Sequence, residues 1–75
     1  MNINDLLDNA KYELKFILPG EEFLLKDLFK GYEWKRIKQA DKSILGTLFM
    51  NYVNERMDIE VIRKASGVVY KLIEK

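Results

Sequence analysis

The side chains of this sequence that could bind a ligand are cations, hydroxyls and amides, and most of the cations lie in its second half. Lysine and arginine neutralise phosphates, and hydroxyl and amide groups form hydrogen bonds to phosphates or to the edges of bases. Ser43, Thr47 and Asn51 stand four residues apart, as neighbours on one helix face do. The candidate nucleic-acid-binding residues are Lys35, Arg36, Lys38, Lys42, Ser43, Thr47, Asn51, Arg63, Lys64 and Lys71.

Side chains for catalysis or metal binding are scarce. The chain has no cysteine and no histidine, which excludes disulfides, thiolate zinc sites and catalytic triads built on histidine. Ser43 and Ser66 have no neighbouring base, and the carboxylates are scattered without the spacing of metal ligands. We therefore expect no enzymatic activity, no cofactor and no bound metal.

Charge is distributed unevenly along the 75 residues. Residues 1–33 carry a net charge of −3 and residues 34–75 carry +4, although the whole chain is only +1. A polyanion responds to the local field rather than to net charge, so the second half is the expected binding region. The composition, 48% hydrophobic and 33% charged, is typical of one globular domain. The absence of a signal peptide or membrane span predicts a cytoplasmic location and no membrane partner.

The N-terminal third is expected to contain one strand. Residues 1–12 form a polar N-terminal segment or a short helix capped by Asn4, and this segment is either docked on the domain or a tethered arm. Residues 13–18 alternate charged and apolar side chains, which predicts a half-buried strand. The inward side chains of that strand would be Leu14, Phe16 and Leu18.

Two short helices are expected next. Pro19-Gly20 breaks the strand, and helical spacing of apolar residues then begins at Leu25. Gly31 would end this first helix in the C′ position. A second short helix is expected around Trp34, followed by a turn in which Asp41 caps the next element.

Residues 42–56 show the strongest helical periodicity. Their apolar stripe would face the core, and the opposite face is small and uncharged, unlike most solvated helix surfaces. Gly46 lies within this helix at a cost of about 1 kcal/mol relative to alanine. That cost indicates a close approach by another element, a partner or a backbone phosphate. The stripe consists of Ile44, Leu45, Leu48, Phe49, Tyr52 and Val53.

Residues 59–73 are rich in β-branched side chains on both sides of Ser66-Gly67, which predicts a hairpin. The predicted fold class is α+β and winged-helix-like: three helices pack on a small antiparallel sheet made of strand 13–18 and hairpin 59–73. The domain proper would span residues 13–75.

Each candidate feature also has a purely structural explanation. The polar helix face either enters a nucleic-acid groove or meets a protein, and the cations either bind phosphates or are solvated charges. Most aromatic side chains are expected in the core. Tyr32 and Tyr70 would expose a ring face for base stacking, and Trp34 an edge.

Parts of the first two thirds resemble a known protein family. Residues 13–16 (ELKF), 18–19 (LP), 23–29 (FLLKDLF), 31–34 (GYEW) and 45–46 (LG) are similar to a family of small bacterial proteins of unknown function from mobile elements and phages. The resemblance covers roughly residues 13–53. It implies a winged-helix-like fold and, as in some family members, binding of single-stranded DNA beside replication enzymes.

The leading hypothesis is a non-enzymatic, nucleic-acid-binding winged-helix domain that is accessory to replication or transcription. Single-stranded DNA is slightly favoured, on the resemblance alone. The alternative is a protein-interaction or dimerisation module without direct nucleic-acid binding. In that case the face containing Gly46 and Met50 would meet a partner or a second copy, since small and soft residues permit close contact.

Overall fold

The computed structural model describes residues 2–65 and 67–73. Three helices pack against a three-stranded antiparallel sheet with strand order β1-β3-β2. This arrangement is compatible with a winged-helix-like fold, and it confirms the predicted α+β class. The elements are α1 (Ile3–Glu13), β1 (Glu22–Phe23), α2 (Gly31–Arg36), α3 (Gln39–Glu55), β2 (Ile59–Lys64) and β3 (Gly67–Leu72), with 3-10 helices at Leu14–Phe16 and Leu25–Leu28.

Helix α1 is docked on the domain, and it is longer than the short helix expected there. Its cap is Asn2 rather than Asn4: the Asn2 side chain accepts a hydrogen bond from the Asn4 amide at 2.7 Å. Leu6, Ala10 and Leu14 repeat every four residues, and all three are buried in the common core. Their burial stabilises a helix that would be marginal alone.

The prediction of a strand at residues 13–18 is wrong. The segment continues α1 as a 3-10 turn, since Leu14 belongs to the apolar stripe of the helix. Phe16 and Leu18 were expected to face inward, but each is 62% exposed. Residues 13–18 do alternate apolar and charged side chains, but the helical periodicity of the preceding residues extends to Leu14 and determines the structure of this segment.

The third strand lies further along the chain, at Glu22–Phe23. The intervening turn contains Gly20, whose φ of 89° favours glycine. The Gly20 amide donates to the Leu72 carbonyl at 2.6 Å, which starts the pairing with β3. Phe23 then lies opposite Tyr70, and the two rings stack with centroids 5.7 Å apart. The sheet therefore has the predicted architecture but a different first strand.

The predicted hairpin is confirmed, with β2 and β3 paired from Ile59↔Leu72 to Lys64↔Gly67. The expected turn includes Ser66, which lies outside the described residues. Directly opposed residues share one face of a sheet. Ile59 of β2 and Tyr70 and Leu72 of β3 lie on the face that packs into the core. Side chains alternate along a strand, so Glu60 and Lys71, which oppose each other, point to the outer face.

The two short helices differ in detail from expectation. Leu25–Leu28 is a 3-10 helix, and the Asp27 carboxylate accepts a hydrogen bond from the Leu24 amide at 2.9 Å. Gly31 does not end a helix but begins α2. Its φ is not positive, so the expected C′ geometry is absent.

Helix α3 begins three residues earlier than predicted, after Lys38, and Asp41 lies in its first turn instead of capping it. A carboxylate there still interacts favourably with the helix dipole. Leu45, Phe49 and Val53 are fully buried, whereas Ile44 is 51% exposed. The buried stripe is thus narrower than the sequence pattern indicated. Within the described chain, every helix is too short or too polar to cross a lipid bilayer.

Candidate nucleic-acid interface

A groove of about 510 Å³ runs between the polar face of α3 and strand β3. Ser43, Thr47 and Asn51 supply its polar wall, one helical turn apart. The described residues that line it include no carboxylate. The full lining is Leu25, Ser43, Gly46, Thr47, Met50, Asn51, Val68 and Tyr70.

The two hydroxyls of the polar wall already donate hydrogen bonds within α3. Ser43 Oγ donates to the Gln39 carbonyl at 3.3 Å, and Thr47 Oγ1 donates to the Ser43 carbonyl at 3.2 Å. Each oxygen therefore retains only lone pairs for a ligand. The side-chain amide of Asn51 makes no hydrogen bond within the described part of the chain, so it remains able to donate and to accept.

Gly46 lines the groove without contributing a side chain. A Cβ atom at this position would meet no described atom of another element within 4 Å. Of the three neighbours expected beside Gly46, another described element is therefore excluded, and a partner or a backbone phosphate stays a prediction. The missing side chain leaves open space next to Thr47 and Met50, where a ligand can approach the helix backbone.

The hairpin brings one of its three candidate cations to the groove side of the sheet. Arg63 lies opposite Val68, which lines the groove. Burial raises the pKa of Tyr70 in the groove floor, and the positive charge of Arg63 opposes that rise. Arg63 is thus the hairpin cation with an electrostatic effect on the groove.

The other two hairpin cations belong to the outer face of the sheet. Lys71 lies opposite Glu22 on one side and Glu60 on the other. Lys64 Nζ is 3.8 Å from Glu22 Oε1. These acidic neighbours reduce the local positive potential there, and the structure does not bring Lys64 or Lys71 together with the groove.

The cations around α2 are associated with aromatic rings. Arg36 lies 5.0 Å and Lys30 6.0 Å from the centre of the Tyr32 ring. Lys42 lies 5.0 Å from the centre of the Trp34 ring. We call Lys30, Tyr32 and Arg36 the aromatic–basic surface. Trp34 lies two residues after Tyr32 in α2 and therefore on another side of that helix.

The remaining candidates lie around the start of α3. Lys35 is exposed at the end of α2. Arg36 and Lys38 line a second hollow of about 340 Å³, which they share with Leu6 and the carboxylate of Asp41. The cations of the second half therefore do not form one continuous positive surface.

The predicted exposure is confirmed for Tyr32 and partly for Trp34, and base stacking on either ring stays a prediction. Tyr32 is 54% exposed and Trp34 is half-buried against Phe29. The prediction for Tyr70 is wrong, because its ring is 3% exposed and packs edge-on against Phe49. A tyrosine at the centre of a paired strand on the core side has no exposed face to offer.

Sequence reasoning missed the apolar walls of the groove. Leu25 was predicted only as the start of a short helix and Val68 only as part of the hairpin; each is partly buried and lines the groove. Only the register of β3 and the position of the 3-10 helix place them beside α3. No signal in the sequence specifies that arrangement.

The helices, the small sheet and the polar face of α3 beside the hairpin define an α+β domain compatible with a winged-helix-like fold. The chain belongs to the family described as a domain of unknown function (DUF1413), which matches residues 8–70. Neither the curated proteins nor the solved structures contain a match to this chain.

Proposed function

We propose that this domain binds single-stranded nucleic acid, with DNA as the primary ligand, through the aromatic–basic surface. The observation that carries the proposal is the setting of Tyr32. Its ring is 54% exposed, with the charged groups of Arg36 and Lys30 within 6.0 Å of its centre. An exposed ring with adjacent cations binds a base by stacking and the neighbouring phosphates by charge.

The distribution of the cations favours a single strand over a duplex. A duplex binder needs many phosphate contacts on one face, and its affinity comes largely from them. Here Lys64 and Lys71 lie beside carboxylates on the outer sheet face. Stacking on Tyr32 compensates for a small number of cations, because it contributes about 1–3 kcal/mol per base.

The family resemblance is consistent with this proposal. It implies proteins of mobile elements or phages that bind single-stranded DNA beside replication enzymes. We therefore propose an accessory role in replication, without enzymatic activity, cofactor or metal.

Fluorescence anisotropy with single- and double-stranded oligonucleotides at two salt concentrations tests the proposal. We expect the single strand to bind more tightly, with a log–log salt slope of about −2 to −3 if three or four phosphates are neutralised. Tyr32→Leu should weaken binding about tenfold, the loss of one stacked base. The control is Tyr32→Phe, which keeps the exposed aromatic ring and should retain the affinity. No binding at low salt, or affinity that does not change with salt, would contradict the proposal.

A protein-interaction role is the second candidate, and one apolar patch favours it. Tyr12, Phe16 and Leu18 are each more than half exposed at the end of α1 and just beyond it. Exposed apolar side chains grouped in this way are typical of protein interfaces. Light scattering should then show a salt-stable dimer that Phe16→Glu dissociates. A monomer at all accessible concentrations would contradict self-association.

A further inference from the structure

We propose that the groove beside α3 holds one unstacked nucleobase and prefers a base with an exocyclic amino group. This inference rests on the proposed function, since it assigns a second contact to the same single strand. It goes beyond phosphate and stacking contacts, because it predicts a preference among bases.

The apolar side of the groove suits the flat face of a base. Leu25, Met50 and Val68 are all partly buried against the core, so their positions are held by packing. The methionine thioether makes favourable contacts with aromatic rings. The volume, about 510 Å³, lies within the range of small-ligand sites, about 300–1,000 Å³.

The polar side of the groove suits the edge of a base that donates hydrogen bonds. The hydroxyls of Ser43 and Thr47 donate to α3 carbonyls, so only their lone pairs point away from the helix. The amino groups of cytosine and adenine are donors, whereas thymine and uracil present a carbonyl at the same position. The side-chain amide of Asn51 lies at the same wall and makes no hydrogen bond within the described residues, so it can both donate and accept.

The charge beside the groove suits a strand that passes over it. Arg63 lies on the groove face of the hairpin, opposite Val68, where a lysine or arginine can neutralise a phosphate. The described lining contains no acidic residue, so none of its side chains repels a phosphate. Gly46 leaves room for the base beside the helix backbone.

Anisotropy titrations with oligo(dC) and oligo(dU) of equal length test the preference. The two bases are of equal size, and neither carries a methyl group. They differ at C4, which bears an amino group in cytosine and a carbonyl in uracil, and at N3, which accepts a hydrogen bond in cytosine and donates one in uracil. We expect oligo(dC) to bind at least about fivefold more tightly, the lower end of the range for a specific base contact. Thr47→Val should remove most of the preference, because it deletes one of the two acceptor oxygens and keeps the shape of the side chain. Asn54→Ala, on the same helix but outside the groove, should retain it.

A second variant tests the groove itself. Gly46→Leu should fill the groove and abolish the difference between the two oligonucleotides, while the contribution of Tyr32 remains. The control is Ala40→Leu, at an exposed position of α3 that does not line the groove. Circular dichroism verifies that each variant is folded.

The outcomes separate this inference from the proposed function. If the wild type binds both oligonucleotides equally, or if Thr47→Val leaves the preference unchanged, the base site in the groove is overturned and single-strand binding stands. If neither oligonucleotide binds at low salt, the proposed function itself fails.

Discussion

Arg56 and Asp58 form a two-point ion pair across the junction between α3 and β2. Arg56 Nη2 is 2.6 Å from Asp58 Oδ2, and Nε is 2.9 Å from Oδ1. Arg56 Nη1 also lies 3.5 Å from the Tyr52 hydroxyl. The pair links the end of the helix that lines the groove to the start of the hairpin that carries Arg63. It therefore helps to set the relative position of the two sides of the site.

Asp58→Asn should destabilise the fold by about 1 kcal/mol at neutral pH, because it removes a charge-assisted, two-point contact. The hydrogen bonds from Arg56 lower the pKa of Asp58 below its ordinary value. The carboxylate therefore stabilises the fold above its unfolded pKa, and this contribution is lost as pH falls through the lower folded pKa. Urea unfolding at several pH values measures the difference. A difference between wild type and variant that does not shrink in acid would contradict this assignment, and Glu55→Gln is the control.

Gly46→Ala should raise the stability by about 1 kcal/mol, the difference in helix propensity. A Cβ atom there meets no described atom of another element within 4 Å, so no steric clash opposes the gain. For a domain of this size the midpoint of thermal unfolding should rise by about 4–8 °C. A lower midpoint would show that another part of the protein packs on this residue.

Phe49→Ala should destabilise the domain by about 3–5 kcal/mol, since it removes a fully buried ring and leaves a cavity. The ring of Phe49 packs edge-on against Tyr70 with centroids 5.0 Å apart, so α3 also loses contact with the sheet. A domain of 75 residues has little stability to lose, and we expect weak or absent cooperative unfolding by circular dichroism. Phe16→Ala is the control: Phe16 is 62% exposed, and the change should stay within about 0.5 kcal/mol.

Ala10→Leu should destabilise the fold by about 1–3 kcal/mol, because Ala10 is fully buried and a larger side chain overpacks its site. Asp8→Ala, at an exposed position of the same helix, should have little effect. Denaturant unfolding measures both variants. If Ala10→Leu were neutral, α1 would not be a fixed part of the core.

The long helix and the hairpin follow from the amino-acid pattern alone. Leu45 and Phe49 are four residues apart and Phe49 and Tyr52 three. A helix places all three on one side, whereas a strand would turn Tyr52 to the opposite face. In residues 59–73 the β-branched side chains surround a single turn signal, so few alternatives compete. The absence of cysteine and histidine also excludes thiolate and imidazole chemistry whatever fold the chain adopts.

The position of the first strand, in contrast, depends on the tertiary fold. Leu14 satisfies both the helical and the alternating pattern, and the pattern cannot choose between them. The choice comes from burial of Leu6 and Ala10 together with Leu14, and from pairing of Glu22 and Phe23 with β3.

The grouping of cations into surfaces is likewise a property of the tertiary fold. A shift of one residue in strand register moves every side chain to the other face, and the sequence does not specify that register. The observed pairing places Arg63 with the groove, and Lys64 and Lys71 with Glu22 and Glu60. The spacing of residues along a chain determines faces within one element, whereas the contacts between elements determine which faces meet.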